Sequence, residues 1–347
     1  MKILELPNEI LQLISDYLPK NSMTRLCLTC IKGYQSFLPI LYRHIELGHR
    51  TQIKQLEKGL LRNAYLKETV KTHTQILTLK CRQGGNSHWL VISLFEQLPN
   101  VKRLYFCDFL ALSITKVRQV LCLLPRLSCL YFQYCDLTTT TTATTMIDSY
   151  RNLPNLKELT LLWTDFSTEA IEQLLSFTPH LNHIVLGANH NRRPSANNSA
   201  LHMLAAKCPD IHSLSISLQQ IKEDSLCRVI QLYGPQLEYL SIRCEGSNTL
   251  MSISQHTKRL KHLVIRCSNY TGYNSVMNVL QHCRSLTHLE MVSWPLHDVP
   301  SVVLEQIRVR DKGTATQAST ISFLEGIKRT VALDRQDLQE IRRLCLY

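Results

Sequence analysis

Pro235-Gln236-Leu237-Glu238-Tyr239-Leu240-Ser241-Ile242 is one copy of a phrase that decides the fold of this 347-residue chain. A proline followed by apolar residues two, five and seven positions later recurs at Pro99 to Phe106, Pro125 to Phe132, Pro154 to Leu161, Pro179 to Leu186 and Pro209 to Ile216. Two more copies lack the proline, Leu260 to Ile265 and Leu286 to Met291, and a degenerate first copy stands at Thr74, Leu77 and Leu79. Such recurrence predicts a stack of similar structural units.

The spacing of the copies identifies the kind of repeat. Their first apolar positions are residues 101, 127, 156, 181, 211, 237, 260 and 286, so neighbouring copies lie 23 to 30 residues apart. Leucine-rich repeats run about 20–29 residues. The chain resembles the leucine-rich-repeat superfamily, and more closely its cysteine-containing branch. In that family Asn or Cys usually stands three residues after the last apolar residue of each strand. Here that position holds Phe109, Cys135, Thr164, Asn189, Gln219, Glu245, Ser268 and Trp294. The alternative is an ordinary α/β domain with similar strands.

Each unit alternates the period of a strand with the period of a helix. In Leu130-Tyr131-Phe132 the first and third side chains should point inward and Tyr131 outward, because side chains alternate along a strand. Ser167 can cap a return helix that carries Ile171 and Leu174 at helical spacing. Similar helices are expected over 87–98, 113–124, 198–207, 224–233 and 274–283. The predicted fold class is α/β, a curved leucine-rich-repeat solenoid with a parallel sheet on the concave face and helices outside.

The first 45 residues do not follow the repeat. They contain Leu6-Pro7-Asn8-Glu9-Ile10-Leu11, followed by Ile14 and Leu18, an apolar stripe at helical spacing between two prolines. Ser22 is expected to cap a second helix. The pattern resembles an F-box, whose hallmark is Leu-Pro, then Glu-Ile-Leu, a later apolar residue and a closing Leu. The resemblance implies a small all-helical module whose Leu6, Pro7, Ile10, Leu11, Ile14 and Leu18 contact a Skp-family adaptor. The alternative is a helical cap that seals the end of the solenoid.

Composition limits the compartment and the partners. The chain has 44% apolar residues, Lys and Arg exceed Asp and Glu by 39 to 27, and 13 cysteines are present. No run of about 18 apolar residues occurs, so no membrane association is expected. Thirteen cysteines with no signal segment favour free thiols and a cytoplasmic or nuclear location. The net charge of +12 favours acidic partners, yet the basic residues are scattered, so nucleic acid is an unlikely partner.

No motif for catalysis, cofactor binding or metal binding stands out. Cys27-x-x-Cys30 lacks a second ligand pair at zinc spacing, and His180-x-x-His183 spans a helix-to-strand turn. We therefore expect packed or surface side chains at these positions, no cofactor and no metal, and a protein that is not an enzyme.

The outward strand positions are the candidate binding surface. Early strands place Arg103, Tyr105, Tyr131 and Gln133 there, and middle strands place Ser213, Ser215 and Ser217. Late strands place Tyr239, Arg243, His262, Arg266 and His288, with Glu290 the single acid. Adjacent arginines on neighbouring strands suit a carboxylate cluster or a phosphate. Tyr239, Arg243, His262, Arg266 and His288 are therefore the candidate target-binding residues, although a solvated face that touches nothing remains open.

Together the two resemblances imply the substrate-receptor subunit of a cullin-based, SCF-type ubiquitin ligase. The expected organisation is an F-box over 1–45, a connection over 46–71, repeats over 72–296 and a C-terminal repeat or cap over 297–347, ending in a helix near Asp334 to Leu346. The partners would be a Skp-family adaptor, through it a cullin, and an acidic or phosphorylated target protein. The alternative is a leucine-rich-repeat scaffold that binds protein or nucleic acid without a ubiquitin role.

Overall fold

The computed structural model describes residues 6–81, 90–138, 152–187, 194–244, 246–267, 273–295, 299–313 and 328–345. The chain forms two compact units. The first comprises Met1–Leu159 and Thr164–Phe177, and the second comprises Thr160–Trp163 and Thr178–Tyr347. Within the described residues, no helix is both long enough and apolar enough to cross a bilayer.

Three short helices open the first unit: α1 (Asn8–Asp16), α2 (Lys20–Cys27) and α3 (Ile31–Leu41). Pro7 and Pro19 stand at the N-cap positions of α1 and α2, where a missing N–H costs nothing. Ser22 therefore lies inside α2 rather than capping it, which corrects the sequence-based expectation. The cap of α3 is Cys30, whose Sγ accepts the Gly33 N–H at 3.3 Å.

The sheet of the first unit begins directly after these helices in the chain. Its strands run in the order β1 (His44–Leu47), β2 (Ile76–Lys80), β3 (Arg103–Cys107) and β4 (Cys129–Gln133), each parallel to the next. Between the strands lie α4 (Arg50–Arg62), α5 (Ala64–His73), α6 (Ile92–Glu96) and α7 (Ile114–Cys122). Two short strands, β5 (Asp136–Leu137) and β7 (Asp165–Phe166), pair in parallel, and α8 (Thr168–Ser176) follows. Strand β6 (Glu158–Leu162) is divided between the units.

The second unit repeats the same strand–helix alternation. Its parallel strands are β8 (His183–Gly187), β9 (Ser213–Ile216), β10 (Tyr239–Cys244), β11 (His262–Cys267) and β12 (His288–Pro295). The helices between them are α9 (Pro194–Lys207), α10 (Glu223–Tyr233), α11 (Ser247–His256) and α12 (Tyr273–His282). After α13 (Ser301–Gly313), strand β13 (Lys328–Leu333) pairs antiparallel with β12, and α14 (Arg335–Cys345) ends the described chain. The fold is thus a leucine-rich-repeat solenoid, as the sequence predicts.

Alternate strand residues form the core. Leu130 and Phe132 are fully buried, and the ring of Phe132 stacks on that of Phe106 in the preceding strand with centroids 5.2 Å apart. Tyr131 points to the opposite, partly exposed face. Burial of a side chain of this size contributes about 1.5–3 kcal/mol, so each repeat is stabilised mainly by packing against the repeats beside it. The predicted inward and outward positions of this strand are confirmed.

A recurring pair of hydrogen bonds fixes the start of most of the parallel strands. The carbonyl oxygen of Lys102 accepts hydrogen bonds from two backbone N–H groups of the next repeat, those of Ser128 at 2.8 Å and Cys129 at 3.0 Å. In the second unit the carbonyl of Lys261 accepts the N–H groups of Thr287 and His288 at 2.8 and 3.0 Å. The same doubly accepting carbonyl occurs at Arg43, Gln75, Ser128, Asn182, His212 and Glu238. These hydrogen bonds place equivalent residues of neighbouring repeats side by side.

A left-handed residue precedes the variable position in four copies of the repeat. Asp108, Tyr134 and Trp163 directly follow β3, β4 and β6 with φ values of 64°, 52° and 52°, a conformation that turns the chain. Ser293, with φ of 56°, lies within β12, where the register of pairing with β13 shifts. The next residue in each case is buried: Phe109, Cys135, Thr164 and Trp294. At Cys135 the thiol donates to the carbonyl of Phe106 at 3.4 Å. In these four copies the position is buried, so Phe or Trp fills it as well as Cys does, whereas Gln219 of another copy is only partly buried.

Several element boundaries differ from the sequence-based ones. The sheet begins at His44, because β1 pairs in parallel with β2, and 46–71 contains α4 and α5. Leu77 and Leu79 of the degenerate first copy are buried in β2. Helix α9 begins at Pro194 rather than residue 198, and α6 covers only Ile92–Glu96 of the expected helix, of which 87–89 lie outside the described residues. The helices expected near 113–124, 167–175, 224–233, 274–283 and 334–346 are present as α7, α8, α10, α12 and α14, with ends shifted by up to two residues.

Arg342 attaches the last helix to the repeats. Its guanidinium donates to the carbonyl oxygens of Leu280, Cys283 and Leu286 at 3.2, 2.8 and 3.2 Å. These carbonyls lie at and just beyond the end of α12, where no further helical turn can satisfy them. One side chain thereby closes the end of α12, and the buried Leu338 and Ile341 pack α14 into the core.

Candidate partner-binding surfaces

Helix α1 carries one buried face and one exposed apolar face. Leu11 is 1% exposed and belongs to the small core formed with Cys27 and Phe37. Ile10, Leu13 and Tyr17 are 41%, 59% and 89% exposed. Their spacing of three and four residues places them together on the side of α1 that faces away from this core. Three exposed large apolar side chains on two turns of helix form what we call the α1 apolar face.

The adaptor-contact residues expected from the sequence differ in how far they are exposed. Pro7 and Ile10 are exposed, whereas Leu6, Ile14 and Leu18 are partly buried, with Leu6 packed against the helical core. Leu11 is buried, which corrects its assignment, because an almost fully buried side chain is not available to a partner. Leu13 and Tyr17 are exposed but were not among the residues expected from the sequence. Their spacing from Ile10 is a helical signal, but neither residue belongs to the F-box hallmark.

Two further exposed apolar residues lie at the junction of α2 and α3. Leu28 and Ile31 flank the cap residue Cys30, and both are largely exposed. The hydrogen bond from the Gly33 N–H lowers the pKa of the Cys30 thiol below its usual value. Cys27, by contrast, packs in the helical core, and burial raises its pKa. The two cysteines therefore have different structural roles and different surroundings.

In the second unit, one row of side chains crosses five neighbouring strands. The register pairs His183 with Ser213, Ser213 with Tyr239, Tyr239 with His262, and His262 with His288. The imidazoles of His262 and His288 stack with centroids 4.5 Å apart and planes 13° apart, and the Tyr239 ring lies 6.4 Å from that of His262. At the other end of the row, His183 Nδ1 and Ser213 Oγ are hydrogen-bonded at 2.7 Å. We call this set the histidine row.

The surroundings of His262 alter its titration. Partial burial lowers the pKa of His262, and the nearby His288 and Lys261 lower it further by charge repulsion. An anion placed over the row would remove that repulsion and favour the imidazolium. His262 can therefore donate a neutral or a charge-assisted hydrogen bond, depending on what is bound.

Arg243 and Arg266 lie beside the histidine row, further along the same two strands. They are register partners in β10 and β11, and both side chains are exposed. Neighbouring strands are about 4.8 Å apart, so the two guanidinium groups share one stretch of surface. The structure thus brings together all five candidate residues, Tyr239, Arg243, His262, Arg266 and His288. Glu290 lies two residues beyond His288 in β12, opposite Val264.

The equivalent face of the first unit is different in character. Tyr105 and Tyr131 are register partners whose rings lie 5.3 Å apart. Further toward β1, Lys80 Nζ donates to Glu46 at 2.7 Å. Arg103 is exposed and Gln133 partly buried, as the sequence expectation of outward positions requires. This face is aromatic, and its Lys80 charge is matched by a carboxylate.

No described group of three or more His, Cys, Asp or Glu side chains has the arrangement of a metal site. His183 is held by Ser213, and His180 is exposed on the preceding turn. The 11 cysteines whose side chains the structure describes are free thiols. Burial raises the pKa of Cys129 and of Cys135 to about 12.

Comparison with known proteins gives structural neighbours only. No family model and no curated protein matches the chain. A yeast structure of the Rad7 and Elc1 complex matches at 16% identity with a TM-score of 0.38, covering 65% of this chain and 65% of that chain. A leucine-rich-repeat-containing protein, LegL7 of Legionella pneumophila, matches at 14% identity with a TM-score of 0.38, covering 65% and 78%. The chain thus spans less than two thirds of the length of the first of these.

Proposed function

We propose that this chain is the substrate-recognition subunit of an SCF-type ubiquitin ligase. The observation that carries the proposal is the α1 apolar face, in which Ile10, Leu13 and Tyr17 are exposed on a helix that Leu11 anchors to the core. Clustered apolar side chains of this size on a small module typically mark a protein-binding site. The partner we propose is a Skp-family adaptor, and through it a cullin.

The target would bind on the second unit. Arg243 and Arg266 supply paired positive charge, and Tyr239, His262 and His288 supply a flat, stacked surface beside it. Such a combination suits a segment that carries carboxylates or a phosphate next to an apolar or aromatic residue. The proposed target is therefore an acidic or phosphorylated protein.

In this role the chain forms no bond itself. Its contribution is to hold the target near a ubiquitin-charged conjugating enzyme, which raises the effective concentration of target lysines. The free thiols are those of a protein in a reducing compartment, so we place this function in the cytosol or nucleus.

Adaptor binding by α1 variants tests the proposal. Tyr17→Ala should weaken the complex by about 1–3 kcal/mol, since a largely exposed tyrosine that becomes buried is a typical hot spot. Ile10→Asp should abolish it, because a charge would be buried without a partner. Leu232→Ala, an exposed leucine on α10, is the matched control and should bind normally. Unchanged adaptor affinity in both α1 variants would refute the assignment.

A second candidate is a leucine-rich-repeat scaffold in which α1–α3 seal the end of the stack. The observation in its favour is the contact between α3 and α5, where the rings of Tyr34 and Tyr65 lie 5.6 Å apart. A capping role requires that contact but gives no reason for the α1 apolar face. A scaffold would therefore show no adaptor binding, and one that used nucleic acid would lose affinity steeply as salt rises.

A further inference from the structure

We propose that a cleft beside α3 binds a small organic molecule carrying two or more phosphate charges. The cleft lies wholly within the first unit, has a volume of about 570 Å³ and is open to solvent. Pockets of about 300–1,000 Å³ are the size that holds small molecules. This site is separate from the α1 apolar face and from the histidine row.

One wall of the cleft is a single face of α3. Lys32, Ser36 and Pro39 line it, and their spacing of four and three residues places them on one side of the helix. Arg43 follows where the chain enters β1. His73 at the end of α5 and Gln75 just before β2 also line the cleft, and the Gln75 N–H donates to the carbonyl oxygen of Arg43 at 3.0 Å. The chain thus brings polar groups from two segments, 32–43 and 73–75, to one opening.

The charge of the cleft is entirely positive among its described lining residues. Lys32, Arg43 and His73 supply two permanent cations and one titratable group, whereas no aspartate or glutamate lines the wall. No carboxylate of the described residues forms an ion pair with these three side chains. Elsewhere, by contrast, Lys80 and Lys261 each have a carboxylate partner at 2.7 and 2.9 Å. Three unneutralised basic groups around one space favour an anion of more than one charge.

The ligand class follows from the hydrogen-bond donors of the cleft and from the apolar residues that line it. A guanidinium donates in a fork that matches two phosphate oxygens, and an ammonium provides a point charge for a third. Ser36 and Gln75 add neutral polar groups, while Pro39 and Ile40 add apolar surface beside them. A bare inorganic ion would leave that apolar surface exposed. An organic phosphate covers it, and an occupied cleft would bridge α3 to the start of the sheet.

The test is calorimetric titration of the full chain with ADP and with inorganic pyrophosphate, using adenosine as the uncharged control. ADP should bind, pyrophosphate should bind more weakly, and adenosine should not bind. Arg43→Gln and Lys32→Gln should each weaken ADP at least tenfold, equivalent to about 1.4 kcal/mol. Both side chains are exposed, so the fold should be retained, which the unchanged melting temperature without ligand would verify. Arg25→Gln, an exposed basic residue of α2 outside the cleft, should bind ADP as wild type does.

Two outcomes would overturn the proposal. One is the absence of binding by both phosphate compounds at 10 mM or about that concentration, where even a weak site of this charge should fill. The other is equal weakening by Arg25→Gln and Arg43→Gln, which would indicate a diffuse surface effect. Phosphatidylcholine vesicles with and without phosphatidylinositol bisphosphate distinguish the source of the phosphate. Binding to the phosphorylated vesicles that Arg43→Gln removes, and that ADP displaces, would assign the same cleft to a lipid headgroup.

Discussion

Leu11 and Leu13 offer the same chemical change in two different environments on one helix. Leu11 is 1% exposed and packs against Cys27 and Phe37, whereas Leu13 is 59% exposed. Replacing either leucine by alanine removes the same atoms, and both residue types favour a helix. Only at Leu11 do those atoms leave a cavity in a core.

The magnitude follows from the atoms lost. Removal of three buried carbons costs about 2.4 kcal/mol at roughly 0.8 kcal/mol each. The cavity left behind raises the expected cost for Leu11→Ala to about 3 kcal/mol, within the usual range of about 2–5 kcal/mol for such a change. Leu13→Ala should cost less than about 1 kcal/mol, because more than half of the side chain is already in water.

Hydrogen exchange over residues 8–41 measures both variants in the full chain. A cost of about 3 kcal/mol corresponds to amide exchange that is roughly 100-fold faster in α1–α3 of Leu11→Ala, and Leu13→Ala should change exchange by less than about fivefold. The same two proteins should differ in the opposite sense in adaptor binding, where Leu13 contributes directly. Equal acceleration in the two variants would show that Leu13 belongs to the core and would refute the described orientation of α1.

Three further predictions test other parts of the structure. The pKa of His262 is lowered, so its neutral form is favoured in the folded state, and its stabilising effect should disappear as pH falls through the folded pKa. In an NMR titration His262 should titrate below the ordinary value of about 6.5, and His288→Gln should raise its pKa. A His262 pKa at or above the ordinary value would contradict the stacked geometry. Iodoacetamide at neutral pH should alkylate the exposed Cys30 before Cys135, whose pKa is about 12, and a mass-spectrometric order with Cys135 first would contradict their burial. Arg342→Met should cost about 1.5–3 kcal/mol, because three carbonyls lose a charged donor, and exchange of α14 amides should rise accordingly; no change in exchange would mean that these hydrogen bonds do not hold the helix.

The repeat predicted most of the fold because strand alternation and unit spacing are properties of the sequence itself. Leu104, Phe106, Leu130 and Phe132 are buried where the phrase places them, and Ser167 caps α8 through the Ala170 N–H at 3.1 Å. The first strand was not predicted, since His44-Ile45-Glu46-Leu47 lacks the repeated phrase and only its pairing with β2 makes it part of the sheet.

The sites were partly predictable for a similar reason. Register follows from the repeat, so Tyr239, His262 and His288 were correctly expected to lie together, whereas the 4.5 Å stacking of the two imidazoles depends on side-chain packing. The burial of Leu11 depends on how α2 and α3 cross α1, which no local pattern specifies. The cleft of Lys32, Arg43 and His73 joins residues distant in sequence, and no motif marks it.

Binding of a Skp-family adaptor to the full chain tests the central proposal most directly. Titration should give one adaptor per chain, with the complex lost in Ile10→Asp and retained in Leu232→Ala. Both variants should keep the hydrogen-exchange protection of the repeats, which shows that the loss is one of contact rather than of folding. A folded wild-type chain that forms no complex with the adaptor, or an Ile10→Asp chain that binds it as tightly as wild type, would contradict the assignment of the N-terminal helices as the adaptor-binding module.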